Sequence, residues 1–400
     1  MVDRSAVQRQ VAPAGNSENP AAREAVSATA FRSNSVTSAS ARRAFWGVFT
    51  LKHLLRIQSI PKDPPEAHLG LEGNSASERF IRKLENRVLQ KLLDEVDTTH
   101  HELAPEVPRI RPEDLTPEYF RESFYLKNQP VIIDGLIKDS KAVRDWKLPW
   151  FKQNYGSEVV KVFEDGRRLL TGEFKTPTVP LTIAEAVDRM LAGQPTYINN
   201  YNGVFQNHPD LIDQLDPDKI RRYTTAFTRN PTGIHLFMGA KRTGSSLHCA
   251  SGGNFFCMIH GEKKWTIVHP DFTPYLYPTL HRQGLYAVSA VDALKPLDVL
   301  DREGYRLWRN VAKRSVYLRE GDVYFNPQWW WHMVENPSET SIGLAFRVAP
   351  AGAFAGNPMF ALLMMSSPHI TKVLLRWLVT RRPARDADVL DRLFPNQSSS

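Results

Sequence analysis

The chain has 400 residues, 42% hydrophobic and 24% charged, with a formal net charge of +8, the proportions of a globular protein of one large or two ordinary domains. No apolar run approaches the roughly 18 residues of a spanning helix, and the opening MVDRSAVQRQVAPAGNSENP lacks the apolar stretch of a secretory signal. The only cysteines, Cys249 and Cys257, exclude a disulfide framework and an all-cysteine zinc module, and the mean basic charge gives no specific nucleic-acid signal.

Residues 1–43 are rich in Ala, Ser, Arg and Asn and are expected to form a disordered tail. Their Arg and Ser content also fits a mitochondrial-type presequence, against which Asp3, Glu18 and Glu24 count; the expected location is intracellular and cytoplasmic. A helical N-terminal extension follows over 44–105. Its first part, AFWGVFTLKHLLRIQSI (44–60), carries Phe45, Val48, Phe49 and Leu55 at helical spacing, with Leu51 and Leu54 widening the stripe. Docking on the folded domain is preferred to lying on an anionic membrane surface. Pro61, Pro64 and Pro65 end this segment, and a charged helix over 76–96 gathers Phe80, Ile81, Leu84, Val88, Leu89 and Leu92 on one face.

The main domain is read as 106–350. PVIIDG is a short buried strand, LTIAEAVDRML a helix and TYINNY a strand. From 233 onward GIHLFMGA, NFFCMIHG, KKWTIVHP, SVYLREGDVYFNP and SIGLAFRVAP are short, aromatic or β-branched, and bounded by Gly, Pro or Asp. The fold class is therefore mainly β with flanking helices, a sandwich or jelly-roll barrel rather than a parallel α/β sheet. A C-terminal helical segment over 351–400 holds NPMFALLMMSS and HITKVLLRWLVTRR, separated at Pro368; two such helices suit a homodimer contact or packing across the barrel.

Two segments place a histidine near the end of an apolar strand: TGSSLHCASGGNFFCMIHGEKKW (243–265) with His248, and GDVYFNPQWWWHMVENPSETSIGLAFRV (321–348) with His332. Far apart in sequence, they can meet only through the fold, and converging imidazoles suit iron, copper, nickel or zinc. Lys263, on a strand inside an apolar barrel, is costly unless it meets an anion. Trp329, Trp330 and Trp331 are read as packing around His332.

The ordered set GSSLHC, NFF, GEKKW and GDVYFNPQWWWH resembles the JmjC and cupin-like-8 family of Fe(II)- and 2-oxoglutarate-dependent oxygenases over about 110–350. That family has a double-stranded β-helix, or jelly-roll, core and the elements T-x-L-H-x-D, N-F-F, G-x-K-[RK]-W and G-D-x-[LY]-[FY]-I-P-x-x-W-W-H. The resemblance implies His248 and His332 as iron ligands. It implies Lys263, Tyr197 and Ser245 around the far carboxylate of 2-oxoglutarate, with Asn254 and Phe256 lining the cosubstrate site. The substrate it implies is a protein side chain or a small molecule.

Where the family has a carboxylate two residues after the first histidine, this chain reads His248-Cys249-Ala250. Ala250 cannot bind metal, and Cys249 is read as packing. Three consequences follow: hydroxylation at a two-histidine iron site, as in the aspartyl/asparaginyl β-hydroxylases; halogenation with a halide at the vacant position; or a catalytically silent cupin-like binding protein. His235 is a candidate for touching the cosubstrate or the metal, with a satisfied core histidine preferred. Arg347 stands where the family has an asparagine, and could hold a carboxylate, a phosphate or a halide, or pair with an acid such as Glu335.

Overall fold

The computed structural model describes residues 38–55, 76–96, 106–163, 179–224, 233–281, 284–348, 352–368, 370–372 and 375. Helices α1 (Ala39–Leu54), α2 (Ala76–Glu95), α3 (Ile183–Leu191) and α4 (Pro358–Met365) flank a β core. The strands are β1 (Arg109–Ile110), β2 (Val131–Ile133), β3 (Val159–Val162), β4 (Val179–Thr182), β5 (Tyr197–Tyr201), β6 (Gly233–Ala240), β7 (Gly244–Ala250) and β8 (Asn254–His260). They continue as β9 (Glu262–Val268), β10 (Pro278–Leu280), β11 (Tyr286–Ser289), β12 (Lys313–Arg319), β13 (Val323–Asn326), β14 (Trp331–Glu335) and β15 (Thr340–Arg347).

Two sheets carry the core, in the orders β1-β2-β13-β8-β15-β6-β5 and β10-β11-β7-β14-β9-β12. Among the described residues only the short β1–β2 pair is parallel; the other pairings are antiparallel, and neighbours such as β13 and β8 or β14 and β7 lie far apart in sequence. This is the expected double-stranded β-helix, in which each sheet buries one apolar face against the other. The tripeptide of β2 is buried throughout, which its continuous apolar run anticipates. SVYLREGDVYFNP divides into β12 and β13 at Gly321, whose φ of 91° favours glycine. The short pair β10–β11 has no apolar alternation long enough to be read from sequence.

Helix α3 starts with a full capping box, Thr182 and Glu185 each satisfying the other's backbone amide. It buries Ile183, Ala186, Val187 and Met190 on one face.

At the N-terminal side the disordered-tail boundary needs correction. Residues 39–43 form the first turns of α1, because Ser38 caps the helix and also donates to the Glu95 carboxylate, and Ala41 is buried. Lys52 pairs with Glu85 at 2.8 Å, so α2 runs back along α1. Phe45 and Phe49 are buried, while Trp46 and Phe49 pack on Phe360 of α4 with ring centroids 5.5 and 5.6 Å away. The amphipathic segment thus docks on the folded domain. On α2, Ile81 and Leu92 are buried as expected, but Phe80 is exposed. The expected tail over 1–37, residues 56–60 and most of the second C-terminal helix lie outside the described residues. Among the described residues, no helix is long and apolar enough to cross a membrane.

Phe360 also packs on Trp329, at 5.1 Å, joining the N-terminal helix to the turn before the second histidine strand. Phe360→Ala is expected to destabilise the protein by about 3–4 kcal/mol, the usual cost of emptying a buried phenylalanine site, as measured by urea unfolding.

Candidate active site

Antiparallel pairing of β7 with β14 puts His248 directly opposite His332. Their ring centroids lie 4.3 Å apart. The sequence predicts this meeting only through the family resemblance; the register produces it. Each Nδ1 bonds a backbone carbonyl two residues upstream, Ser246 O at 2.8 Å for His248 and Trp330 O at 2.9 Å for His332. A carbonyl only accepts, so both Nδ1 atoms carry the proton and both Nε2 atoms carry the lone pair, the tautomer a metal requires. The Asn326 carboxamide lies 3.3 Å from His332 Nδ1, and the Trp265 ring stacks on His332 at 5.0 Å.

Burial and the Arg347 guanidinium both keep these rings neutral. Burial lowers His248 to about 4, with Arg347 adding to the effect against the Ser246 hydrogen bond. His332 falls well below its ordinary value through burial, the neighbouring His248 and Arg347.

A bulge on β7 sets which residues face inward. His332 pairs with His248, but Val334 pairs with Ser245, so two residues, Ser246 and Leu247, oppose Met333 alone. This restores phase: Ser245, His248 and Ala250 are the half-buried positions, while Leu247 and Cys249 are fully buried in the core. Cys249 therefore packs, as expected, and Ala250 presents a methyl group on the His248 side. Among the described residues no three His, Cys, Asp or Glu side chains converge as a metal site.

Lys263 lies on β9 with its side chain fully buried. Its Nζ donates to Asn336 Oδ1 at 2.5 Å and Ser341 Oγ at 3.2 Å and sits 5.6 Å from the Tyr197 ring centroid. Among the described residues no carboxylate is within ion-pair distance of it. Burial lowers its pKa from 10.5 to about 7. Tyr197 is buried beside it, and burial raises its phenol. Asn336 is in turn fixed by Thr243, to which it donates at 2.8 Å. Neither Asn336 nor Ser341 is singled out by the motif. Ser341 could have been found by alternation, since Ser341, Gly343, Ala345 and Arg347 share one face of β15.

Gly343 makes the cradle. A Cβ there would run into the Phe256 ring and stand 3.2 Å from Lys263 Cε. Phe256 packs on Phe237 at 5.8 Å and Trp265 at 5.1 Å. Gly343→Ala is expected to destabilise the protein by about 1–3 kcal/mol through overpacking and to weaken dicarboxylate binding by displacing Lys263. Thermal melting with and without 2-oxoglutarate reads both effects.

At the other end of the same β15 face, a polar row crosses the sheet: Asn326, Asn254, Arg347 and Gly233 are successive register partners. Arg347 donates to the Asn200 side chain, whereas Glu335 pairs with Lys264 at 2.9 Å; the suggested Arg347–Glu335 pair is therefore replaced by these two. Asn200 has a φ of 61°, a left-handed conformation asparagine tolerates, and lies where β5 bulges against β6. The doubled asparagine in TYINNY was the available signal for it.

His235 is buried on β6, its Nδ1 bonded to the Asn200 carbonyl at 3.3 Å. Among the described residues its Nε2 has no hydrogen-bond partner, and neither has Asn254 Oδ1. His235 is thus a buried histidine paired with backbone through one nitrogen. Among the described residues it forms no three-membered cluster with His248 and His332. Trp329, Trp330 and Trp331 are all buried and point in different directions, Trp330 Nε1 to Asn128 O and Trp331 Nε1 to Thr273 Oγ1.

The donor set fits a metal held by two imidazoles. Both rings are neutral, each commits Nδ1 to a backbone carbonyl, and their centroids stand 4.3 Å apart, so two Nε2 atoms could serve one ion. The set also fits a dicarboxylate, one end against Lys263 and the other toward the histidines.

A family model described as a cupin-like domain matches residues 117–346. The human bifunctional peptidase and (3S)-lysyl hydroxylase JMJD7 is 26% identical over 250 residues, covering 55% of this chain and 77% of that protein. Lysine-specific demethylase 8 of Xenopus tropicalis is 23% identical over 58% of this chain and 50% of its own length. Jumonji C domain-containing protein 5 of Drosophila melanogaster is 25% identical over 55% and 54%. The chain thus spans about half the length of the latter two relatives.

Proposed function

This chain belongs to the JmjC group of the cupin-like family, and on that premise we propose that it is an Fe(II)- and 2-oxoglutarate-dependent oxygenase that hydroxylates a C–H bond. Members of the family generally use this metal and cosubstrate. The observation that carries the reading is Lys263: a buried lysine whose nearest partners are neutral oxygens is retained at a stability cost unless an anion visits it. A silent cupin would gain from an apolar residue there.

In this reading His248 and His332 hold the iron through Nε2. Lys263 and Tyr197 hold the far carboxylate of 2-oxoglutarate, and Ser245 lies on the same inward side. The bound iron and cosubstrate supply the oxidising power. The protein's residues do the rest. The backbone carbonyls of Ser246 and Trp330 fix the imidazole tautomers, Asn336 and Ser341 orient the ammonium, and Phe256 and Trp265 exclude water from the cradle. The relatives named for lysyl chemistry act on a cationic side chain; a guanidinium beside the two histidines makes a lysyl substrate unfavourable here.

The test is an anaerobic titration of the full chain with Fe(II) and 2-oxoglutarate, following the visible charge-transfer band of the chelate. The band is expected in the native protein and absent in His332→Ala. Its absence from the native protein at saturating reagents would sink the reading. Halogenation is the second reading, supported by the small side chain of Ala250 and the nearby Arg347; its mark is a chloride-dependent product.

A further inference from the structure

Trp329, in the turn between β13 and β14, has a φ of 61°, in the left-handed region where a bulky residue is an outlier. Its ring is fully buried, and among the described residues its indole Nε1 finds no hydrogen-bond partner. Strained backbone of this kind persists only where the surroundings over-determine it, and it collects at functional sites. Here the turn is held from two sides. Asn128 donates from Nδ2 to Gln328 O at 3.1 Å and accepts Trp330 Nε1 through its own carbonyl at 2.7 Å. On the other side the Trp329 ring meets Phe360 edge to face at 5.1 Å, and Phe360 rests against Trp46 and Phe49 of α1.

What this turn secures is the histidine pair. The Trp329 amide donates to Ala250 O at 2.8 Å, which carries the pairing of β14 with β7 past His332 and His248. The β7 bulge lies on the other side of that pair, so the two histidines are bracketed by a bulge and by this bond. One residue on, the Trp330 carbonyl accepts from His332 Nδ1 at 2.9 Å. We propose that Trp329 is a positioning residue for the metal centre: its ring, packed on Phe360 and through it on α1, holds the left-handed main chain that keeps His332 in register with His248. The assignment rests on the two-histidine metal site of the oxygenase reading, and it gives the N-terminal extension a part in that site. A tryptophan kept for bulk alone would behave differently. Loss of ring volume makes Gly the worst replacement, Ala better and Val better still. Tolerance of positive φ reverses that order, because glycine adopts it freely, alanine at a cost and β-branched valine least of all.

The experiment compares Trp329→Gly, Trp329→Ala and Trp329→Val in the full chain by two readouts. Proton NMR of the metal-free protein follows the His332 Nδ1–H, which its bond to Trp330 O shields from exchange. Titration with Co(II) gives the affinity and, through the ligand-field bands, the geometry. Trp329→Gly is expected to keep the Nδ1–H resonance and to bind Co(II) within about threefold of the native protein, although it melts lowest of the three. Trp329→Ala is expected to lose the resonance and bind about tenfold more weakly, and Trp329→Val more weakly again. The opposite order, with Val best and Gly worst in both readouts, overturns the proposal. Phe360→Leu repeats the test without a cavity at the turn and is expected to lose the resonance and weaken Co(II) binding. Phe45→Leu, whose ring contacts are Trp46 and Phe49, is expected to keep both, and equal effects from these two variants also overturn the proposal. If the native protein binds no Co(II), the metal reading fails, while the resonance in the metal-free variants still decides whether Trp329 positions His332.

Discussion

Replacing Lys263 by methionine is expected to stabilise the ligand-free protein while weakening 2-oxoglutarate binding at least a hundredfold. The two effects have one origin. The ammonium is fully buried against Asn336 and Ser341, which offer oxygen dipoles but no countercharge. Replacing a buried ionic group by an apolar side chain of similar volume commonly gains about 1–4 kcal/mol. Removing one partner of a desolvated charge pair costs about 2–5 kcal/mol of affinity, and a hundredfold corresponds to roughly 2.7 kcal/mol.

The pH dependence has a definite sign. Lys263 titrates near 7 in the folded chain against 10.5 when unfolded, so between those values the unfolded chain holds more protons. Stability of the ligand-free protein therefore rises with pH from about 7 to about 10 by this group, and methionine abolishes that rise. Binding of the dianion requires the charged form. Affinity is expected to be level below pH 7 and to fall by up to about tenfold per unit above it, with proton uptake. Melting curves between pH 6 and 10, and calorimetric titrations in buffers of different ionisation enthalpy, measure both. Retention of 2-oxoglutarate affinity within threefold in Lys263→Met would place the anion anchor elsewhere.

The strands were legible in the sequence where an apolar or aromatic run was bounded by turn residues, as in GIHLFMGA and NFFCMIHG. The helix LTIAEAVDRML was legible because its cap and period agree. Residues 39–43 were not legible, since Ala41 is buried by the neighbouring helices and alanine carries no pattern of its own. Nor was the inward phase of β7. Strict alternation would place Ser245 opposite His248 in phase, and only the bulge against Met333 restores it. The missed residues Asn200, Asn336 and Ser341 share a cause: each acts through a neighbour's hydrogen bond, and partners 73 to 147 residues apart leave no local spacing to read. The histidine pair, Lys263 and the missing carboxylate were legible because their signal lay in an ordered motif rather than in periodicity.

Ala250→Asp is expected to raise the affinity for Fe(II) or Co(II) by at least about a hundredfold, since outer-shell partners of metal ligands alone are worth roughly 10- to 100-fold and this change adds a direct ligand. Ala250 lies two residues beyond His248 on the same inward side of β7, opposite Tyr286 of β11, so a carboxylate there points where the methyl group now does. The ligand-free variant should keep its stability, because Ala250 is only half-buried and Arg347 already acts on both neighbouring histidines. Competitive titration against a chromophoric chelator measures the gain, and an unchanged metal affinity would mean that the Ala250 side does not face the ion.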